Sequence, residues 1–403
     1  MRILFIPAWY PTKGHPLRGI FFQEQARALS GECDVCILYP PFAQGVRSYF
    51  LNRPISQQDQ PIEDPPGLFV KYFVYHWKRN DRGTFSSMVS HCKQAIGKNE
   101  KQFGKFDIIL VNGWSGICLA TECGKHFQTP VVFIEHSNPL INQQLNQNDF
   151  MRRAYHEVIC STDLVCTVSD ALRRWMIAYL EDLPLNPVVI GNFIDTDYFD
   201  MKIHDTFSMP LRIISVVSND KIKDVDTLIK AISYIRETKP SLELAVQIIG
   251  LSGSVFEYYT TLCSKEGIKD VVMIEGQKTR SEVHDAMQSA DLFVSSSIQE
   301  TFGIVIAESL SCGTPVVATR SGGAEFILGN DSPFLVEIRE PVQLGSKIID
   351  VLEGKVSYDP SRCRAEIVNR FGKQAFVKRM VDLLHTVIAD YKIRQEKEAN
   401  LFL

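Results

Sequence analysis

The chain has 403 residues, 45% of them apolar and 22% charged, a make-up that suits a globular protein with two cores rather than one. Its formal net charge of −4 argues against nucleic acid as the main partner. No run of about 18 or more apolar residues occurs, so no helical membrane span is expected.

The opening MRILFIPAWYP is too short an apolar run for a signal peptide, and Pro7 breaks it, so residues 2–6 read as a first strand. A loop rich in Pro and Gly, residues 7–19, leads into a helix over 21–30 and a second strand over 35–39. This order predicts a parallel sheet with right-handed crossovers. The loop after the first strand then lies at the carboxyl ends of the strands, where ligands bind. Gly14 and Gly19 would let backbone approach a ligand there, with a plain turn as the alternative. The turn carries no GxGxxG, so a nicotinamide dinucleotide site is not supported.

Residues 42–105 are less regular, with a strand over 69–75 running into aromatic and basic residues at 76–82. Such a mixture suits a membrane interface or a carbohydrate, although charge runs are more often solvated loop. Further strands read at 106–112, 130–134, 164–168 and 187–190. The strand at 130–134 ends in Glu135-His136-Ser137, which places His136 on the ligand-binding edge. On chemistry alone, His136 either bonds a ligand hydroxyl or is satisfied within its own loop. Glu135 either orients it or caps the next turn.

A helical stretch at 149–160 carries Arg152 and Arg153, and Ser169 caps a helix over 169–176. The ten cysteines form no framework. Cys33 and Cys36 make a CxxC with no second pair to complete a zinc site, and read as a strand edge. Reduced thiols in a cytosolic chain are the expectation. Asp195 and Asp197 form a DxD, which reads as structural because carboxylate spacing alone is weak evidence for a metal.

A second strand–helix series starts at 211–217. The loop 218–224 contains Asn219, Lys221 and Lys223 and enters a helix over 225–236; lysines in that position can neutralise a diphosphate. Strands at 244–249 and 271–274 lead to Gly250 and Gly276, and Thr279 with Glu282 predicts a capping box. A short buried strand at 291–295 precedes the loop 298–303, a helix over 304–310 closed by Gly313, a strand at 315–318 and Ser321-Gly322-Gly323. Glu300 precedes that helix and Glu308 lies about two turns on. A helix start suits a phosphate, although an ordinary strand–helix unit explains the same pattern. Helices over 341–352 and 374–395 complete the chain.

The run Glu300-x7-Glu308 with Phe302-Gly303 inside it, followed by Cys312-Gly-Thr-Pro-Val-Val-Ala-Thr319 and Gly322-Gly323, resembles the signature of retaining GT-B glycosyltransferases, and more narrowly of family 4. The resemblance spans nearly the whole chain. It implies an α/β GT-B fold, with two Rossmann-like doubly wound domains facing a central cleft. Residues 1–190 would bind the acceptor, 191–210 would be the linker, 211–375 would bind the nucleotide sugar, and the helix 376–403 would cross back to the N-terminal domain. The donor would be a nucleoside-diphosphate sugar and the acceptor a glycan or lipid-linked molecule. Transfer with retention, without metal or organic cofactor, and a cytoplasmic location with peripheral membrane contact are further implications.

By the same resemblance His136, Glu300 and Lys223 are the catalytic candidates. Gly19, Asn219, Lys221, Gly276, Thr301, Phe302, Gly303, Ile304 and Glu308 join Lys223 and Glu300 as donor-binding candidates. Glu300 would hold the donor sugar, Glu308 the ribose, His136 a sugar hydroxyl, and the Gly276 loop the base through its backbone. One departure stands out. Ser218 and Asn219 occupy the place of the family's glycine and arginine, which leaves Lys221 to supply the missing charge. A nucleotide-sugar epimerase on the same fold and a non-catalytic nucleotide-sugar-binding subunit are the competing readings.

Overall fold

The structure, a computed structural model, describes residues 1–39, 72–74, 85–113, 116–137, 156–157, 159–181, 183–202 and 209–401. The basic and aromatic stretch 76–82, Arg152 and Arg153, and most of the polar stretch 204–210 lie outside these residues. The chain divides into two compact units. One comprises Met1–Val168, Arg173–Phe193 and Phe376–Leu403; the other comprises Ser169–Leu172 and Ile194–Ala375.

In the first unit, β1 (Arg2–Pro7), α1 (Ile20–Leu29), β2 (Asp34–Tyr39), β3 (Tyr72–Val74), α2 (Phe85–Phe103), β4 (Ile108–Asn112), α3 (Ile117–Phe127), β5 (Val131–Glu135), β6 (Leu164–Thr167), α4 (Asp170–Tyr179) and β7 (Val188–Val189) follow in order. The strands form one sheet in the order β3-β2-β1-β4-β5-β6-β7. Every pairing is parallel. Both faces are covered, so β4 and β5 are buried at every position instead of alternating. Of the strand expected at 69–75, residues 72–74 are described.

The irregular patterning at 42–105 conceals α2. Its buried positions Val89, Cys92 and Ile96 make a narrow stripe, set among Ser, Lys, Gln and Gly, against α3. Cys33 and Cys36 are buried at the start of β2.

In the second unit come β8 (Leu211–Val216), α5 (Val225–Thr238), β9 (Leu244–Ile249), α6 (Gly253–Lys265), β10 (Val272–Glu275), α7 (Arg280–Ser289), β11 (Leu292–Ser295), α8 (Ile304–Ser311), β12 (Val316–Thr319), α9 (Gly323–Leu328), β13 (Leu335–Val336), α10 (Pro341–Leu352) and α11 (Pro360–Phe371). The long helix α12 (Lys373–Leu401) ends the chain, and from Phe376 onward it belongs to the first unit. There Phe376 packs against Phe193, and Arg394 pairs with Asp163. The second sheet is again all parallel, in the order β10-β9-β8-β11-β12-β13. Its core is aliphatic, built on Leu228, Ile229 and Ile232 of α5 and Leu344 and Ile348 of α10.

Both sheets therefore share one winding. The strand order reverses beside β1 in the first and beside β8 in the second. A doubly wound sheet binds its ligands at the carboxyl ends of the strands at that reversal, because the loops there run to opposite faces and leave a crevice.

Candidate active site

At the reversal of the second sheet, the loops after β8 and β11 are laced together. Asp220 caps a single 3-10 turn, Lys221–Lys223, by accepting from Ile222 N at 3.2 Å. Asp224 follows in the left-handed region, with φ 44°, and opens α5. The loop after β11 then grips the turn: Ile298 N donates to Ile222 O at 2.7 Å, and Ser296 Oγ donates to Lys223 O at 3.0 Å. This backbone clasp brings together two side chains that lie 77 positions apart. Lys223 Nζ stands 2.6 Å from Glu300 Oε1, with the side chains only 19% and 12% exposed. Ser297 Oγ donates to the same oxygen at 2.7 Å. Lys221 is exposed on the same turn.

Glu300 is also held from the other side. Its N–H donates to Ser321 O at 2.8 Å, and its carbonyl accepts from Gly323 N at 2.9 Å. The loops after β11 and β12 thus continue the sheet for one residue pair, Glu300 with Gly322. A Cβ on Gly323 would lie 2.5 Å from Phe302 O and 2.9 Å from Glu300 Cβ, so only glycine admits this approach.

Gly303, at φ 90°, begins α8, whose first amides have no intrahelical acceptor. Thr301, Ile304 and Glu308 are partly buried around this start. Glu308 is the fifth residue of α8, so it lies a little over one turn into the helix rather than two. Phe302 contributes backbone alone: its ring is 1% exposed and packs edge-on against Phe371 at 5.1 Å. Gly276 lies exposed at the carboxyl end of β10, where its carbonyl accepts from Gly250 N at 3.2 Å.

Two of the expected donor-binding residues have contacts within the chain itself. Asn219 spends its amide on the neighbouring loop: Nδ2 donates to Ser252 O at 3.2 Å and Oγ at 3.0 Å, and Oδ1 accepts from Ser252 N at 3.0 Å. Both ends of the amide are engaged, so Asn219 is a latch between the loops after β8 and β9. Gly19, in the first unit, stands before α1 with φ 72°, and a Cβ there would lie 2.6 Å from the carbonyl carbon of Trp9. Its glycine is required by the chain's own fold.

At the reversal of the first sheet the groups are mostly amide and imidazole, with one buried carboxylate, Glu135, capping the loop. Asn112 ends β4 and accepts from Ala8 N at 2.7 Å through its carbonyl. His136 follows β5 beside it, with Nε2 2.8 Å from Asn112 Oδ1. Its ring lies edge-on to Phe22 at 4.8 Å, with Phe21 at 5.6 Å. Burial pushes the imidazole down to about 3, with the Asn192 side chain acting in the opposite direction. Asn192 in turn accepts from Gln25 Nε2 at 3.2 Å. Glu135 caps the loop: its Oε1 accepts from the N–H groups of His136 and Ser137 and from Ser137 Oγ, each at 3.0 Å.

Asp195 of the DxD takes a structural part. It accepts from Tyr198 N at 3.1 Å and pairs with Arg280 at 3.6 Å, whose guanidinium stacks over Tyr198. Asn112 and Ser297 are the site residues that sequence reasoning passed over. Their signal was positional: Asn112 ends a strand before a glycine, and Ser297 precedes Glu300 by three residues.

Comparison with known proteins decides the family. Residues 20–198 match Glycosyltransferase Family 4, and residues 198–375 match Glycosyl transferases group 1. The chain is a GT-B glycosyltransferase of group 1. The D-inositol 3-phosphate glycosyltransferase of Arthrobacter sp. is 26% identical over 301 residues, covering 70% of this chain and 71% of its own. The amylovoran biosynthesis glycosyltransferase AmsK of Erwinia amylovora is 23% identical over 302 residues, 72% of each chain. Among solved structures, Anabaena HepE in complex with UDP superposes with a TM-score of 0.71 at 20% identity, covering 96% of this glycosyltransferase and 100% of HepE. No helix among the described residues of the glycosyltransferase is long and apolar enough to cross a membrane.

Proposed function

We propose that this glycosyltransferase moves a sugar from a nucleoside-diphosphate sugar to a glycan or lipid-linked acceptor with retention of configuration, in polysaccharide or glycoconjugate assembly. The observation that carries the reading is the Lys223–Glu300 pair at the reversal of the second sheet, next to the start of α8. Lys223, Lys221 and the first amides of α8 suit the charge that grows on a departing diphosphate, without metal or organic cofactor. Glu300, positioned by the clasp on one side and Gly323 on the other, suits a sugar hydroxyl, and Glu308 suits the ribose. HepE binds UDP and UDP-glucose, and AmsK is a glycosyltransferase of amylovoran biosynthesis; both support the donor class and the setting.

A choice of base supports retention. An imidazole that protonates only near pH 3 is a poor acceptor for the proton of an attacking hydroxyl. A leaving phosphate has a second pKa of about 6 and is the stronger base. The proton therefore goes to the leaving group, on the face from which it departs, and the acceptor attacks on that face. His136 acts as a neutral hydrogen-bonding group.

A thermal-shift panel of UDP-, GDP- and ADP-sugars tests donor binding, since a ligand of the folded state alone raises its stability. Incubation with the binding donor and lipid-linked acceptors, followed by NMR of the anomeric product, tests transfer and retention. No shift with any nucleotide sugar would sink the reading. An isomeric nucleotide sugar formed without acceptor would replace it with epimerisation.

A further inference from the structure

Two atoms of the buried polar group in the first unit are left without a partner among the described residues, Asn112 Nδ2 and His136 Nδ1. Asn112 is 0% exposed and His136 is 8% exposed. Asn112 Oδ1 is an acceptor only, so its 2.8 Å contact with Nε2 requires the ring proton to sit on Nε2. A neutral imidazole has one such proton, and Nδ1 is then a bare lone pair. Among the described residues, Nδ1 is buried with no hydrogen-bond partner. A buried polar atom left unmatched costs about 1–3 kcal/mol, which a ligand or a water bonding there recovers. Phe21 and Phe22 fix the ring plane, and the Glu135 cap fixes the backbone beneath it.

We infer that Asn112 is a positioning residue: its amide oxygen locks His136 as the Nε2–H tautomer and makes Nδ1 a fixed acceptor for one substrate hydroxyl. The inference rests on the sugar-transfer reading for the identity of that substrate, and on the geometry alone for the lock. It has a selective consequence. A hydroxyl can donate to Nδ1, whereas phosphate and carboxylate oxygens bring only lone pairs against it. His136 therefore recognises the donor sugar, not the diphosphate. The competing arrangement places the proton on Nδ1, directed at Asn192, whose Oδ1 already accepts from Gln25.

The test uses the full chain labelled with 15N-histidine, with the His136 signals assigned by their loss in His136→Gln. Nitrogen shifts between pH 6 and 8 report which ring nitrogen carries the proton. The lock predicts a protonated Nε2 and a bare Nδ1 in the wild type, the same pattern in Asn112→Asp, and a mixture in Asn112→Leu. A protonated Nδ1 in the wild type overturns the inference even if the leucine variant fails to fold, and so does an unchanged pattern in a folded leucine variant. UDP-glucose, GDP-mannose and ADP-glucose are then added in turn. Whichever binds should move the Nδ1 signal, while UDP, GDP or ADP alone should not; a signal moved equally by the diphosphate overturns the hydroxyl assignment. Asn112→Leu should lower kcat/KM about tenfold to a hundredfold, with partial rescue in Asn112→Asp. Absence of nucleotide-sugar binding would remove the transfer reading while the tautomer result stands.

Discussion

The two sheets wind alike, yet the chemistry at their reversals differs. Beside β8 the groups are charged: a lysine and a glutamate at 2.6 Å, with a second lysine exposed next to them. Beside β1 they are buried and mostly neutral: a histidine whose burial lowers its pKa to about 3, two asparagines and a glutamine, with Glu135 turned to backbone and Ser137 as a cap. Charge is useful where charge develops during reaction, and a water-poor array of neutral donors and acceptors is useful where hydroxyls must be told apart. One winding thus carries an electrostatic edge and a hydrogen-bonding edge.

Four substitutions break or sharpen this contrast. Lys223→Ala removes the cation at the charged edge and leaves Glu300 uncompensated. It should lower kcat by about 100-fold to 1,000-fold and weaken UDP binding, read by steady-state kinetics and calorimetry. A loss below about threefold would show that the lysine does not serve the leaving group.

His136→Gln should lower kcat/KM about tenfold to a hundredfold, and its stability signature is distinct. The folded imidazole lies near 3, below its ordinary 6.5, so only the unfolded chain takes up this proton between those values. His136 therefore makes wild-type stability fall with pH below 6.5, by up to about 1.4 kcal/mol per unit. Urea titrations from pH 7 to 4.5 should show a shallower fall in the glutamine variant; parallel curves would mean that His136 charges normally.

Gly323→Ala drives a methyl group into Phe302 O and Glu300. It should cost about 1–3 kcal/mol and lower kcat together with stability. Asn219→Ala should have the smallest effect. It removes exposed hydrogen bonds to Ser252, costing about 1 kcal/mol and less than tenfold in kcat/KM. A loss matching that of Lys223→Ala would return Asn219 to the phosphate.

Elements with local signals were legible in the sequence. The capping box at Thr279 is present as written, with Thr279 and Glu282 bonding reciprocally, and Pro341 opens α10. The buried parallel strands read as unbroken apolar runs. Helices with thin apolar faces escaped: α6 buries only Tyr259 and Cys263, and α2 presents a cysteine where a leucine would have announced it. In α11, Asp359 caps a helix that begins with Pro360, a signal that was there to be read.

Within the site, types and loops were legible but partnerships were not. Lys223 meets Glu300, and Asn219 meets Ser252, only because strand order sets β8 between β9 and β11. Such pairings arise from topology, and spacing along the chain does not encode them. The same holds for Gly19 and Asn219, which the fold sets against Trp9 and Ser252.

The shared oxygen of Glu300 has a consequence for selectivity. Lys223 already has a counter-ion, so any incoming anion must loosen that pair and is attracted by only the remainder. A lone phosphate gains little from the exchange, whereas a diphosphate that also reaches Lys221 and the amides of α8 gains several contacts at once. If Lys223 meets the donor diphosphate as proposed, the pair would act as a threshold against abundant small anions. Inorganic phosphate should compete with UDP only at concentrations at least about 100-fold higher, and Glu300→Gln should narrow that gap by releasing the lysine.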